Sequence, residues 1–183
     1  HIVTGSRSAI QNAIKCTEST GLNVKGVVLE QLASSISVLS EDEKNLGACV
    51  VDIGGGTCDL ISYNQGSVVN TAVIPVGGNN FTHDVAMGLR TTQQNAENLK
   101  KKYGCALPDL VAEDETINVE GVGGRQSREI SRRELCQLLE ARAEETLHLI
   151  RASINDGQLS KKLGSGGILT VGSSQLGGLA EMG

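Results

Sequence analysis

Val50-Val51-Asp52-Ile53-Gly54-Gly55-Gly56-Thr57-Cys58-Asp59 is the stretch from which the fold of this chain is read. An apolar β-branched run ends in a carboxylate, turns through three glycines and a threonine, and resumes as Leu60-Ile61-Ser62-Tyr63. That pattern predicts strand, tight turn, strand. Consecutive glycines free the backbone to turn and to be approached closely by another molecule, and their N–H groups can converge on a phosphate as an anion-binding nest. Asp52, at the strand end, is placed to hold a hydrated Mg²⁺, an ion that keeps several waters and takes only one or two carboxylates. Thr57 adds a hydroxyl donor. Glycines alone would equally suit a plain glycine-rich hairpin; the flanking acid, the threonine and the second acid, Asp59, favour phosphate.

Around this stretch the composition is that of part of a larger machine. The 183 residues carry a net charge of −5, which gives no bulk attraction to nucleic acid. Tryptophan is absent and aromatics make up 2% of the chain, so a stacking platform for single-stranded nucleic acid has no support. No run of about 18 apolar residues suggests a membrane span. The start at His1, without a signal-peptide pattern, reads as an excised fragment. Five scattered cysteines (Cys16, Cys49, Cys58, Cys105, Cys136) lack zinc spacing and read as buried thiols rather than a disulfide framework.

Along the chain, His1 to Gly5 reads as a strand end. Ser6 is positioned to cap a helix through Ile10, Ala13, Ile14 and Thr17. Val24 to Leu29 reads as a second strand, and Ala33 to Leu39 as a short helix after Glu30. Strands are expected at about 48–53, 57–63 and 67–76, the last pair joined by Asn64-Gln65-Gly66. Gly77-Gly78 opens a helix through Val85, Met87 and Leu89, and Thr92 caps another, Gln93 to Tyr103. Thr116 to Val119 reads as an edge strand. Ser131-Arg132-Arg133-Glu134 has the form of a capping box starting the longest helix, with Leu135, Leu138, Leu139, Leu147, Ile150 and Ile154 on its apolar face. Asn155 to Gly167 is a polar connection, Gly167 to Gly172 a strand into a turn, and a further helix is expected near Ser174. Mixed α/β ends around a helix-rich middle predict two subdomains, the second inserted into the first.

These motifs are specific enough to carry a resemblance. The chain resembles the actin-like, DnaK-like ATPases, and within them the FtsA family of bacterial cell-division proteins. The motifs, in order, are Val51 to Asp59, then Ile74-Pro75-Val76-Gly77-Gly78-Asn79-Asn80-Phe81-Thr82-His83-Asp84, Ala96-Glu97-Asn98-Leu99-Lys100, Tyr103-Gly104-Cys105-Ala106, Gly123-Gly124-Arg125 and Ile168-Leu169-Thr170-Val171-Gly172, with Leu32-Ala33-Ser34-Ser35 and Glu140-Ala141-Arg142. The resemblance implies an actin-like ATPase fold of ribonuclease H-like α/β type and covers the second half of such a protein. Subdomain 2A would be residues 1–85 and 163–183, with the helix-rich subdomain 2B, residues 86–162, inserted between. The first phosphate loop, subdomains 1A and 1C and a membrane-tethering amphipathic helix would lie outside this sequence.

The resemblance further implies ATP and Mg²⁺ as ligands, with at most weak ATPase activity. Asp52 would hold the waters of Mg²⁺, and Gly54, Gly55, Gly56 and Thr57 would form the second phosphate loop. Gly77 and Gly78 would lie close to phosphate or ribose, and Glu97 and Lys100 would meet the adenosine, although an i, i+3 pair of this kind is also an ordinary solvated ion pair. Gly172 and Ser173 resemble the adenosine loop. Glu30 falls where related proteins position the attacking water, with Gln31 where the family commonly has proline. Val171 departs from the usual Gly-Gly of the adenosine loop, and a β-branched side chain there implies a shifted loop or weaker nucleotide binding.

Arg125, Arg128, Arg132 and Arg133 form a basic segment in an acidic chain. Arginines in a first helical turn oppose the helix dipole, and the resemblance makes Arg125, Arg128 and Arg132 candidates for capturing the carboxy-terminal tail of the tubulin-like protein FtsZ. Arg142 reads as pairing with Glu145 or a nearby acid, and His83 and His148 as structural. The implied function is an ATP-binding protein of the cytoplasm that forms filaments and links FtsZ to the cytoplasmic membrane at the division site. Competing readings are a small-molecule kinase or DnaK-type chaperone of the same fold and the pilus-assembly adaptor PilM.

Overall fold

The computed structural model describes residues 4–156 and 162–183. Among the described residues, seven α-helices and six strands follow in the order α1 (Arg7–Ser19), α2 (Glu30–Val38), α3 (Glu41–Leu46), β1 (Ala48–Ile53), β2 (Cys58–Asn64), β3 (Ser67–Ile74), α4 (Gly78–Gly88), α5 (Gln93–Tyr103), β4 (Thr116–Val119), β5 (Arg128–Ser131), α6 (Arg132–Asp156), β6 (Gly167–Thr170) and α7 (Leu179–Met182).

The main sheet has the order β3-β2-β1-β6, antiparallel across the first three and parallel between β1 and β6. Every residue of β1 is buried, as a continuous apolar run requires when both faces of its sheet are covered. The pleat divides the work. Ala48 and Val50 join Ile61, Tyr63 and Leu39 on one face, beneath Leu32 of α2. Cys49, Val51 and Ile53 join Leu60, Phe81, Val85, Leu99, Leu135 and Leu139 on the other, beneath α4, α5 and α6. The β2–β3 turn places Gln65 at φ 51° and Gly66 at φ 72°, two left-handed residues in succession as a tight hairpin needs.

Local chemistry fixes the helix ends. Thr92 Oγ1 accepts from the Asn95 N–H at 3.1 Å, and Lys100, Lys101 and Lys102 fill the last turn of α5, where cations meet the negative end of the helix dipole. Ser40 and Glu43 form a reciprocal capping box at α3, a helix the sequence reading passed over although Ser-x-x-Glu signals it.

Elsewhere the structure differs from the expectations. His1 to Val3 lie outside the described residues, as do residues 157–161 of the expected 155–167 connection. Val24 to Leu29 contains no strand: none of the described strands bonds to it, and Leu22, Val27 and Val28 remain exposed. A β-favouring run becomes a strand only where another edge satisfies its backbone. Ser131 does not begin the long helix with a capping box. It ends β5, paired with Thr116 in a two-stranded sheet with β4, and its Oγ accepts from the Arg133 N–H at 3.2 Å. The helix expected near Ser174 is a 3-10 turn, Gly172–Gln175, with α7 following. No helix among the described residues is long and apolar enough to cross a membrane.

Candidate functional site

The glycine turn between β1 and β2 is closed by one hydrogen bond, from the Gly54 N–H to the Thr57 carbonyl at 2.9 Å. Its outer carbonyls are taken by the start of α4: the Gly78 N–H donates to Gly54 O at 2.9 Å and the Asn79 N–H to Gly55 O at 2.8 Å. Gly77 is required by this approach, because a Cβ there would stand 2.7 Å from Gly54 O and from the Gly55 carbonyl group. The two glycine motifs therefore lock together, and Gly77 and Gly78 buttress the turn with N–H groups already committed, Gly77's to Asn80 Oδ1. The N–H groups of Gly55, Gly56 and Thr57 donate to no acceptor among the described residues. They are three adjacent donors on an open turn, the arrangement that binds an anion.

Beside the turn lies a cleft of about 540 Å³. Gly54, Gly55 and Gly78 line one wall, Glu97 and Lys100 of α5 a second, and Val171, Gly172 and Ser173 a third. Eight of the residues singled out in the sequence thus meet in one cavity. Lys100 Nζ donates to Gly78 O at 3.0 Å and Thr82 Oγ1 at 2.8 Å and pairs with Glu97 at 2.7 Å. The pair is not the solvated surface contact its spacing also allowed: Lys100 is 15% and Glu97 27% exposed. Burial opposes ionisation of Glu97, but hydrogen bonds from Lys100, Thr82 and Lys101 outweigh it and hold the carboxyl down at about 2.

Val171 adopts φ 73°, ψ −179°, a region open essentially to glycine. The loop after β6 thus has a glycine's backbone conformation without the glycine. Ser174 holds it there, its N–H and Oγ both donating to the Val171 carbonyl, at 3.1 and 2.6 Å. The side chain is 46% exposed at the cleft wall.

The remaining candidates collect on the α2 side of the turn rather than in the cleft. Asp52 is 2% exposed and its Oδ2 accepts from Ser34 Oγ at 2.7 Å. Thr57 Oγ1 donates to Asp59 Oδ2 at 2.7 Å, and Gln31 Nε2 donates to Asp59 Oδ1 at 2.6 Å. Glu30, the first residue of α2, is exposed. Gln31 enters the sequence reading only as a departure from proline and Ser34 only within a motif; their i, i+3 spacing places them on one face of α2, beside the two acids. Burial first, then the charges of Asp59 and Asp52, pushes the intervening Cys58 thiol up to about 11.

The basic segment divides. Arg132 donates to the Tyr103 carbonyl and pairs with Glu115 at 2.9 Å; Arg133 donates to the Val111 carbonyl and pairs with Glu113. Arg128 is exposed and spends one NH₂ on the Leu89 carbonyl at the end of α4. Arg125 is exposed and makes no ion pair among the described residues. Arg142 pairs with both Asp84 and Glu145, as its position suggested.

Solved structures of low sequence identity share this architecture. MreB5 of Spiroplasma citri bound to ADP superposes with a TM-score of 0.71 at 20% identity, over 95% of this chain and 56% of that one. The PilM-PilN type IV pilus biogenesis complex gives 0.71 at 16%, over 96% and 44%. The fold is that of the actin-like ATPases. Within that class the relationship is closer. A family model described as Cell division protein FtsA matches residues 49–183. FtsA of Pseudomonas aeruginosa is 45% identical over the whole chain, that of Escherichia coli K12 41% over 98%, and that of Bacillus subtilis 35% over 99%. The chain belongs to the FtsA family of cell division proteins, and the family match favours that reading over the pilus adaptor, kinase and chaperone alternatives. It spans 41–44% of the length of these relatives.

Proposed function

We propose that this chain is the nucleotide-facing half of an actin-like cell-division protein that binds ATP, assembles into filaments and links FtsZ to the cytoplasmic face of the membrane at the septum. In this reading residues 1–85 and 163–183 form subdomain 2A and residues 86–162 form 2B, a division supported by the pairing of β6 with β1 across the intervening helices.

The observation that carries the nucleotide reading is the triplet of uncommitted N–H groups at Gly55, Gly56 and Thr57, on a turn whose Gly54 and Gly55 line the cleft. Those donors would take phosphate oxygens, with Gly54, Gly77 and Gly78 fixing the turn from behind. Gly172, Ser173, Glu97 and Lys100 would face the nucleoside. Asp52 and Asp59 supply the oxygen donors suited to Mg²⁺, which keeps most of its own waters. Bound Mg²⁺ would neutralise phosphate charge, and Glu30 is the candidate to orient an attacking water. The chain's own half of the cleft gives a few charge-assisted hydrogen bonds, each of about 1.5–3 kcal/mol, against an association cost of about 4–15 kcal/mol. Affinity is therefore weak, near the millimolar range that corresponds to about 4 kcal/mol. Amide NMR with added Mg-ATP tests this: the signals of Gly55, Gly56, Thr57 and Gly172 shift together at millimolar nucleotide. Shifts confined to other residues, or none, would overturn the assignment.

The partner reading rests on Arg125 and Arg128, which remain exposed on 2B while Arg132 is tied to Glu115. Arginine's planar fork suits the carboxylates of an acidic peptide such as the FtsZ tail.

A further inference from the structure

Asp52 and Asp59 are direct cross-strand partners in the antiparallel β1–β2 register. Residues opposed in this way project on the same face, where like charges repel. Here they are held by neutral groups alone: Ser34 Oγ on Asp52, and Gln31 Nε2 and Thr57 Oγ1 on Asp59. Neither carboxylate has an ion pair among the described residues. The Gln31 side chain is 5% exposed, and while its Nε2 binds Asp59 its Oε1 is buried with no partner. A buried acceptor without a donor is costly to keep, and it belongs to the amide that is bonded to one of the two carboxylates. A hydrated divalent cation fits this combination, because carboxylates take the metal or its waters and those waters are donors.

We propose that Gln31 is a positioning residue for a divalent cation: Nε2 steers Asp59, and Oε1 accepts a hydrogen bond from a water on a cation held between Asp52 and Asp59. This rests on the reading of Asp52 as a Mg²⁺ site and adds a residue to it. Groups of this outer kind typically matter 10–100-fold for metal affinity.

Mn²⁺ alone is the probe, its free-ion signal followed by electron paramagnetic resonance and its effect on the urea midpoint measured in parallel. The unchanged chain binds Mn²⁺ and is stabilised by it. Gln31→Leu binds about 10-fold more weakly, whereas Gln31→Glu, which adds a carboxylate facing the cation, binds more tightly and gains a larger Mn²⁺-dependent midpoint shift. A purely structural glutamine predicts that both substitutions lower the metal-free midpoint and leave Mn²⁺ affinity unchanged, and that result overturns the proposal. If Gln31→Leu does not fold, equal or weaker Mn²⁺ binding by Gln31→Glu overturns it as well. Absence of Mn²⁺ binding by the unchanged chain removes the Asp52 metal reading itself, and the role of Gln31 with it.

Discussion

Replacing Val171 by alanine and by glycine should invert the usual order of stability. Val171 holds φ 73°, ψ −179°, a backbone state whose cost for a residue with a Cβ is about 1–3 kcal/mol. Alanine keeps the Cβ and so keeps most of that strain, while giving up two methyl groups. With the side chain 46% exposed, the burial lost is about 1 kcal/mol, from roughly 0.8 kcal/mol for each fully buried carbon. Glycine gives up the Cβ as well but releases the strain, offset by a disadvantage of about 0.5–1 kcal/mol relative to alanine. Val171→Gly should therefore be more stable than Val171→Ala by about 0.5–2 kcal/mol. At a relaxed position the order is the reverse. Urea denaturation of the three forms measures it: with slopes of about 1–3 kcal/mol/M, a difference of 1 kcal/mol separates the midpoints by roughly 0.3–1 M. Alanine above glycine by about 0.5–1 kcal/mol, the ordinary order, would refute the strain argument.

Gly77→Ala should lower stability by about 1–3 kcal/mol through overpacking against the Gly54-Gly55 backbone, whereas Gly56→Ala, whose Cβ meets nothing within 4 Å, should change it by less than about 0.5 kcal/mol; denaturation midpoints compare the two. The Glu97 carboxyl, lowered from 4.5 to about 2, contributes stability that is present above about pH 4.5 and lost as pH falls towards 2. Unfolding free energies measured between pH 5 and 2 should fall less steeply for Glu97→Gln, and parallel curves would show the pair to be energetically idle. Charge reversal at Arg125 or Arg128 should weaken binding of a labelled FtsZ tail peptide more than reversal at Arg151, which donates to the Met182 and Gly183 carbonyls. Salt should weaken that binding as the Debye length shortens; equal losses at all three arginines, read by fluorescence anisotropy, would indicate nonspecific charge.

Much of the fold was legible because its signals are local. The β1 run, the Gln65-Gly66 hairpin, the Thr92 cap and the Gly77-Gly78 helix start each depend on a few neighbouring side chains and the backbone angles they permit. The family-like motifs named the cleft residues for the same reason: a glycine turn and an adjacent acid remain next to each other however the rest packs. Apart from α3, whose capping box is a local signal, the failures have the opposite character. Val24 to Leu29 has strand composition, but pairing is a property of two edges and none of the described strands meets it. The Arg128–Ser131 strand carries a single apolar residue, Ile130, so no alternation signals it, and it exists through its register with β4.

Local sequence was enough to set a glycine turn at the end of a buried strand and to place the chain among actin-like proteins. Tertiary structure alone decided which donors remain uncommitted. It spent the Gly78 and Asn79 N–H groups on the turn's carbonyls, tied Arg132 to Glu115, placed Val171 in a glycine conformation and laid Gln31 and Ser34 across Asp59 and Asp52. Each of these contacts except the conformation of Val171 joins residues at least 17 positions apart. Chain closure, not local preference, brings such partners together, so no window of sequence contains the information.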